Sequence, residues 1–355
     1  MSDTHPVPRI HRPAPAATTF TGPPRPSRRP ARHAARAAVA ALIAVLLVFV
    51  SGNTAWASGR HSEGLGAISH PDWMAGLPDT ARLADLSIPG THDTMARDVT
   101  FVAETQKSPL PEQLNAGIRA LDIRARHFKD HFTIHHGVVY LNANFTDVLR
   151  QTTDFLKAHP REAVLMRLKQ EHTPEGNTRS FAQTLRWYLE QNPETAPLAR
   201  DHLWRPTDGD QQAPTLGEVR GKFVILQQFD GEGSDFGLSY YSPALNVQDA
   251  YDVPTMFHIK GKWDKARGHL EEAAGGNPQT LYVTFLSGVG PGAYPHAVAA
   301  GALWFTGVNH YALHWLESRD MRRTGVVMMD YPGPDLVTTV LRRNEHAHVG
   351  QHTHA

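Results

Sequence analysis

The feature that most constrains the fold is a series of short apolar runs that alternate with segments of helical periodicity. Most of these runs are continuously hydrophobic, which is typical of parallel strands buried on both faces. Helical patterns separate them, such as the one with Val148, Leu149, Thr152, Phe155 and Leu156 on one face, before Pro160. Seven or eight strands alternating with helices predict an irregular (distorted) TIM-type (β/α)8 barrel, an α/β fold formed as a single domain over residues 65–343. The predicted strands are 83–88, 118–123, 132–135, 163–168, 222–227, 281–285 and 325–329.

The first 57 residues differ in composition from the rest of the chain. Residues 1–37 hold eight prolines, seven arginines and one acidic residue, and residues 38–50 are thirteen consecutive apolar residues. The small-residue motif Ala55-Trp56-Ala57 follows. This order predicts a signal peptide cleaved after Ala57, so we expect a secreted, extracellular protein. An uncleaved anchor is the alternative, but thirteen residues are fewer than the ~20 that span a bilayer.

Composition excludes several classes of protein. The chain has no cysteine, which rules out disulfides, thiolate metal sites and a cysteine nucleophile. Without residues 1–57 it has 28 basic and 34 acidic residues, a net charge of −6, so a nucleic-acid partner is not expected. Residues 344–355 contain four histidines and predict a flexible tail, with metal binding as the alternative.

The first predicted strand leads into a histidine and a carboxylate. Pro89-Gly90 lies near its end, where glycine permits a tight turn or close approach to a ligand, and His92 and Asp93 follow. Histidine titrates near neutral pH, and an adjacent carboxylate can modify that titration. A single His-Asp pair is more often a polar turn than a catalytic pair, so its meaning depends on the other strands.

Titratable residues also follow the other predicted strands at the end where TIM-type barrels carry their functional residues. Asp122 and Arg124 alternate along the second strand and so share one face. Each residue has a structural alternative, such as a salt bridge between Lys169 and Glu171 or a helix cap at Asp330. The number of titratable residues at these strand ends favours a common site. The set consists of His92, Asp93, Asp122, Arg124, His135, His136, Lys169, Glu171 and Asp330.

This combination of side chains suits the cleavage of a phosphodiester. One histidine can remove a proton from an attacking hydroxyl while a second protonates the leaving oxygen. The planar fork of an arginine matches phosphate geometry and can stabilise charge on the phosphoryl oxygens. With an arginine in this role, no metal is needed.

Six motifs within residues 65–343, in order, resemble the bacterial phosphatidylinositol-specific phospholipase C family of the X-domain type. They are Ser-Ile-Pro-Gly-Thr-His-Asp at 87–93, Leu-Asp-Ile-Arg at 121–124, Ile-His-His-Gly at 134–137, Leu-Lys-Gln-Glu at 168–171, Val-Gln-Asp-Ala-Tyr at 247–251 and Met-Asp-Tyr at 329–331.

The resemblance implies catalytic roles for five residues. His92 would be the general base that deprotonates the inositol 2-hydroxyl, oriented by Asp330. His136 would be the general acid that protonates the departing diacylglycerol oxygen, with Asp93 close to that oxygen. Arg124 would contact the phosphate. The products would be 1D-myo-inositol 1,2-cyclic phosphate and diacylglycerol.

The resemblance also implies an inositol pocket and the absence of a metal cofactor. Calcium-dependent relatives need carboxylate and amide ligands around the phosphate, where this chain has Asp93 and Arg124. One departure concerns Gln228, because the family often has a basic residue there, and this bears on selectivity among inositol derivatives. The substrate-binding set would be Lys169, Asp249, Tyr251, Asp122, Glu171 and Gln228.

Partners and rival functions complete the prediction. We expect a monomer that contacts phosphatidylinositol membranes transiently through the glycine-rich loop 287–295, tipped by Tyr294; an ordinary mobile loop is the alternative. A metal enzyme like the glycerophosphodiester phosphodiesterases is one rival, although the chain lacks their His-Arg-Gly after the first strand. A non-catalytic inositol-lipid-binding module is the other, and it would not need both His92 and His136.

Overall fold

The computed structural model describes residues 61–62, 64–207, 212–231 and 236–345. The predicted signal peptide and residues 346–355 of the predicted tail lie outside these ranges. The strands are β1 (Ser87–Thr91), β2 (Ala120–Phe128), β3 (His131–His136), β4 (Val139–Asn144), β5 (Ala163–Gln170), β6 (Lys222–Gln228), β7 (Gly237–Ser239), β8 (Leu245–Gln248), β9 (Leu281–Phe285), β10 (Gly301–Ala302), β11 (Phe305–Thr306) and β12 (Gly325–Met329). The helices are α1 (Leu110–Asn115), α2 (Phe145–Ala158), α3 (Phe181–Glu190), α4 (Ala196–His202), α5 (Leu216–Val219), α6 (Ile259–Gly275), α7 (Pro295–Ala300), α8 (Val308–Glu317) and α9 (Pro334–Arg342).

Eight parallel strands form one curled sheet in the order β7-β6-β5-β2-β1-β12-β9-β8. Read from β1, the strands follow chain order in one direction to β7 and return from β8 through β9 and β12. The strands therefore follow the order of a TIM barrel, with no pairing between β7 and β8. The prediction of a distorted TIM-type barrel is confirmed.

The segment predicted as the third barrel strand has a different position. β3 runs antiparallel to β2, with Ala125 opposite Ile134 and Phe128 opposite His131, and it continues into the antiparallel strand β4. Only Lys129 and Asp130 connect β2 to β3, with φ angles of 50° and 59°. A two-residue connection can join only antiparallel strands.

Several predicted boundaries also change. Residues 83–85 form a 3₁₀ helix rather than the start of a strand, and Pro89 lies inside β1 rather than at its exit. Asn344, assigned to the flexible tail, is buried; its side chain accepts from the Ser87 N–H and donates to the Ser87 carbonyl, each at 2.8 Å.

The interior of the sheet is closely packed. A Cβ at Gly90 would lie 2.5 Å from Met328 Sδ and 2.8 Å from Ala120 Cβ, so the neighbouring strands require a glycine at this position. The glycine therefore serves strand packing rather than a turn or a ligand. Among the described residues, no helix has the length and apolar character needed to cross a bilayer.

Candidate active site

The inward-facing residues of the parallel strands change from apolar to polar toward the C-terminal end of the sheet. On β2, buried Ala120 is followed on the same face by Asp122 and Arg124. The strand register places Arg124 beside Lys169 on β5, and Lys169 beside Gln228 on β6. The same change occurs at Leu165, Arg167 and Lys169, at Leu226 and Gln228, and at Met328 and Asp330.

His92 follows β1 directly and lies between the side chains of Asp330 and Arg124. Its Nδ1 is 2.7 Å from Asp330 Oδ1, and its Nε2 is 2.6 Å from Arg124 Nη2. Because a guanidinium can only donate, Nε2 is the acceptor and Nδ1–H donates to Asp330. Burial and the charge of Arg124 hold the pKa of His92 well below its usual value. The ring is therefore a neutral imidazole whose Nε2 carries the lone pair of a base.

The backbone at His92 and Asp93 is held in one conformation. Asp93 has a φ of 43°, in the left-handed region that asparagine and aspartate tolerate better than most residues. Its N–H donates to Asp122 Oδ2 at 3.0 Å. Thr105 Oγ1 donates to both carbonyls, and Gln106 Nε2 donates to that of His92 at 2.7 Å. These contacts fix the direction of both side chains.

Arg124 is at the centre of the acidic side chains. Its Nε donates to Asp122 Oδ2 at 3.1 Å, and its Nη1 lies 3.6 Å from Asp93 Oδ2 and 3.8 Å from Glu171 Oε1. Burial alone would lower the pKa of Arg124, but the surrounding carboxylates raise it above its ordinary value. Arg124 is thus a permanent cation held at the mouth of the barrel.

His136 reaches the same site from the β3–β4 hairpin. Its Nδ1 lies 2.8 Å from Asp93 Oδ2, and the next residue, Gly137, donates its N–H to Glu171 Oε1 at 3.1 Å. His135 is buried on the other face of β3 against Tyr140. Of His135 and His136, only His136 contacts the other site residues.

Arg167 is a site residue that the sequence analysis missed. Its guanidinium is buried between the rings of Tyr240 and Phe285, each 5.0 Å away. It donates to Asp122 Oδ1 at 2.9 Å and to Gln228 Oε1 at 2.7 Å. Burial alone would raise the pKa of Asp122, but the charges of Arg124 and Arg167 lower it below its ordinary value. The alternation of Leu165, Arg167 and Lys169 along β5 was the available signal.

The remaining predicted substrate-binding residues surround this centre. Lys169 Nζ lies 2.8 Å from Glu171 Oε2, and Asp249 Oδ2 lies 3.7 Å from Arg167 Nη2. Gln228 Nε2 donates to the Tyr241 hydroxyl at 3.1 Å. Tyr251, which follows β8, is 61% exposed. No group of three or more histidine or acidic side chains within the described ranges is arranged to hold a metal ion.

Comparison with known proteins identifies the family. The model of the family "Phosphatidylinositol-specific phospholipase C, X domain" matches residues 80–229. A 1-phosphatidylinositol phosphodiesterase of Listeria monocytogenes is 32% identical over 294 residues, covering 79% of this chain and 86% of the relative. The chain belongs to the phosphatidylinositol-specific phospholipase C family. A 1-phosphatidylinositol phosphodiesterase of Staphylococcus aureus is 28% identical over 84% of this chain and 96% of its own length.

Solved structures of phosphatidylinositol-specific phospholipases C have the same fold. The structure of the Listeria monocytogenes enzyme superposes with a TM-score of 0.66 and 30% identity, over 78% of this chain and 99% of that one. The resemblance inferred from the six sequence motifs is confirmed.

A cluster of exposed aromatic side chains lies in the connections between the parallel strands. Tyr294, in the loop predicted to contact membranes, is half-buried and packs edge-on against Phe101 at 5.4 Å. Phe257, between β8 and α6, and Trp304, between β10 and β11, are each 79% exposed. Both rings contact Phe305, at centroid distances of 4.9 and 5.6 Å. We refer to Phe257, Trp304 and Phe305 as the aromatic patch.

Proposed function

We propose that this protein cleaves phosphatidylinositol to 1D-myo-inositol 1,2-cyclic phosphate and diacylglycerol by general acid–base catalysis without a metal. The observation that carries the proposal is the position of Arg124, which contacts His92 on one side and, on the other, Asp93, the neighbour of His136. A phosphate bound to this guanidinium has a base and an acid on opposite sides. The similarity to 1-phosphatidylinositol phosphodiesterases supports the same substrate.

The attacking step uses the lone pair of His92 Nε2. The inositol 2-hydroxyl replaces Arg124 at Nε2, so that Arg124 Nη2 becomes free to donate to a phosphoryl oxygen. As the hydroxyl oxygen forms its bond to phosphorus, its proton moves to Nε2. The carboxylate of Asp330, which accepts from Nδ1, stabilises the imidazolium that results.

The departing step uses His136. The bond between phosphorus and the diacylglycerol oxygen breaks, and protonated His136 supplies the proton that this oxygen needs. The Asp93 carboxylate beside Nδ1 stabilises the protonated ring before transfer. The His136 side chain is 19% exposed, compared with 11% for His92, and this supports the assignment of His136 to the leaving-group side.

The inositol ring would be bound by Lys169, Gln228, Asp249 and Tyr251, with Asp122 and Glu171 holding Arg124. Arg167 Nε donates to Gln228 Oε1, and one N–H of the Gln228 amide donates to the Tyr241 hydroxyl, so the second N–H is the donor left for an inositol hydroxyl. It offers a neutral donor where the family often has a cation. The exposed face of Tyr251 is available for stacking on the ring.

The deciding experiment is an assay of residues 58–355 on phosphatidylinositol with excess EDTA, followed by phosphorus NMR. We expect the phosphorus signal of the cyclic phosphate and, in the lipid extract, an equal amount of diacylglycerol. Loss of activity on EDTA treatment, with recovery on adding a divalent ion, would support the metal-dependent glycerophosphodiester phosphodiesterase instead. Vesicle binding without diacylglycerol release would support a lipid-binding module.

We also propose that the enzyme contacts phosphatidylinositol membranes transiently, as a monomer, through the aromatic patch. Phe and Trp side chains favour the lipid–water interface, and Phe257 lies in the connection that follows β8, as does Tyr251 of the site. The variant Phe257→Ser/Trp304→Ser should bind phosphatidylinositol vesicles about 10-fold more weakly, equivalent to about 1.4 kcal/mol. Its activity on a short-chain, monomeric phosphatidylinositol should stay at the wild-type value. An equal loss on both substrates would contradict a role confined to the membrane.

We further propose, from residues 1–57, that the protein is exported. The basic segment, the apolar run 38–50 and the Ala-Trp-Ala motif support secretion with cleavage after Ala57. N-terminal sequencing of protein from the culture medium should start at Ser58. Retention of the full-length chain in the membrane fraction would support the uncleaved anchor.

A further inference from the structure

Arg167 is a buried cation that neither step of the proposed reaction uses. Its residue exposure is 3%, and it lies on β5 between Leu165 and Lys169 on the inward face. A guanidinium is costly to bury unless its N–H groups have partners. The partners of Arg167 therefore indicate what it does.

Three side chains from other strands contact the Arg167 guanidinium. Its Nη1 donates to Asp122 Oδ1 at 2.9 Å, and its Nε donates to Gln228 Oε1 at 2.7 Å. Its Nη2 lies 3.7 Å from Asp249 Oδ2, which is a charge attraction rather than a hydrogen bond. One planar cation thus connects β2, β6 and the end of β8. Two of its partners, Gln228 and Asp249, belong to the proposed inositol pocket.

The contacts of the Arg167 guanidinium hold it in one orientation. It is enclosed by the rings of Tyr240 and Phe285, whose centroids are each 5.0 Å from its Cζ. The hydrogen bonds from Nε and Nη1 fix the rotation of its planar fork. Arg167 therefore presents its Nε–H to Gln228 from a constant direction.

This contact decides which end of the Gln228 amide faces the pocket. A glutamine amide can present either its oxygen or its nitrogen to a partner. Because a guanidinium can only donate, the Gln228 oxygen must face Arg167, and the NH2 group points away from it. The Tyr241 hydroxyl, 3.1 Å from that nitrogen, can donate or accept and so does not select an orientation. Arg167 is thus the contact that makes Gln228 a donor.

We propose that Arg167 is a positioning residue for substrate selectivity, which fixes the Gln228 amide so that it offers the inositol ring a hydrogen-bond donor and no acceptor. The inference rests on the proposed function and deepens it. A ring substituent that faces Gln228 must then accept a hydrogen bond. A hydroxyl can accept or donate, whereas fluorine can only accept. Fluorine therefore reports which end of the amide faces the ring.

The test uses phosphatidylinositol and its fluorodeoxy analogues, each with fluorine in place of one ring hydroxyl other than the attacking 2-hydroxyl. The measured ratio is kcat/KM for an analogue divided by kcat/KM for phosphatidylinositol. Gln228→Glu identifies the ring position that faces residue 228, because a carboxylate accepts from a hydroxyl but repels fluorine. The ratio at that position should fall about 10-fold below the wild-type value.

Arg167→Met should lower the ratio at the same ring position by about threefold, because the released amide can turn its oxygen to the ring. The ratios at the other positions should stay within about twofold of the wild type. Asp122→Asn is the matched control, since it neutralises the other hydrogen-bonded partner of Arg167 and leaves the bond to Gln228 in place. It should lower kcat on every substrate and keep all the wild-type ratios.

Three results would overturn the proposal. The first is a folded Arg167→Met enzyme with the wild-type ratio at the position that Gln228→Glu identifies. The second is an equal change at every position in Arg167→Met, which indicates a general distortion. The third is a Gln228→Glu enzyme with unchanged ratios, which means that Gln228 does not face the ring.

A second variant covers the case in which Arg167→Met does not fold. Arg167→Met/Asp122→Asn leaves no unpaired carboxylate at position 122, and its ratios are compared with those of Asp122→Asn. A threefold lower ratio at the position facing Gln228 supports the proposal, and equal ratios contradict it. Wild-type protein inactive on phosphatidylinositol would overturn the proposed function instead, before any variant is compared.

Discussion

Replacement of His92 by alanine should lower kcat on phosphatidylinositol by about 10²–10⁴-fold, the usual contribution of a general base. The loss follows from the geometry, since Nε2 is the nitrogen with a free lone pair once Arg124 turns to the phosphate. The loss of kcat should persist with a substrate that has an aryl leaving group. Such a leaving group removes the need for a general acid, but the attacking hydroxyl still needs a base. The measurement is steady-state kinetics with both substrates in the presence of EDTA.

His136→Ala provides the matched comparison for the same experiment. Its kcat on phosphatidylinositol should fall over the same range, but the aryl substrate should restore much of the rate, because an aryl oxygen leaves without a proton. His131→Ala, at the exposed start of β3, is the control and should keep wild-type activity. Wild-type rates in both His92→Ala and His136→Ala would rule out the acid–base assignment. If the aryl substrate restored the rate of His92→Ala instead, His92 would be the acid and His136 the base.

The parts of this site that sequence predicts well are those set by strand periodicity. The strands 281–285 and 325–329 have the predicted bounds, because their apolar residues form continuous runs. Once the barrel was predicted, His92, Arg124 and Asp330 had to meet at one end, since parallel strands all end at the same side of the sheet. The structure brings these three together within hydrogen-bond distance.

The parts that sequence did not predict depend on contacts between distant segments. β7 and β8 have three and four residues, too few to show a period. Arg167 occupies a position that would ordinarily be apolar, and its burial is explained by its contacts with Asp122 and Gln228 from other strands. The position of His136 depended on the two-residue turn at 129–130, which converts an expected barrel strand into a hairpin.

Arg124→Met should produce a second large loss, about 10²–10³-fold in kcat, the range observed when one preorganised donor to a developing anion is removed. Arg124→Lys should recover only part of it. A lysine restores the charge but not the planar fork that donates to Asp122 through Nε while other nitrogens reach His92 and the phosphate. Arg126→Met, two residues further along β2, is the matched control, since its guanidinium bonds to Glu175 and the Thr173 carbonyl.

The same variant offers a reading that does not depend on turnover. Arg124 is the largest charge that lowers the pKa of His92, so its removal should raise that pKa, and NMR titration of the His92 ring can measure the change. Higher His92 basicity together with lower kcat would separate the two roles of the guanidinium, because a stronger base alone cannot explain a slower enzyme. A lower kcat with an unchanged His92 pKa would mean that Arg124 does not contact the ring in solution. In that case the tautomer assigned to His92, with its proton on Nδ1, would rest on Asp330 alone.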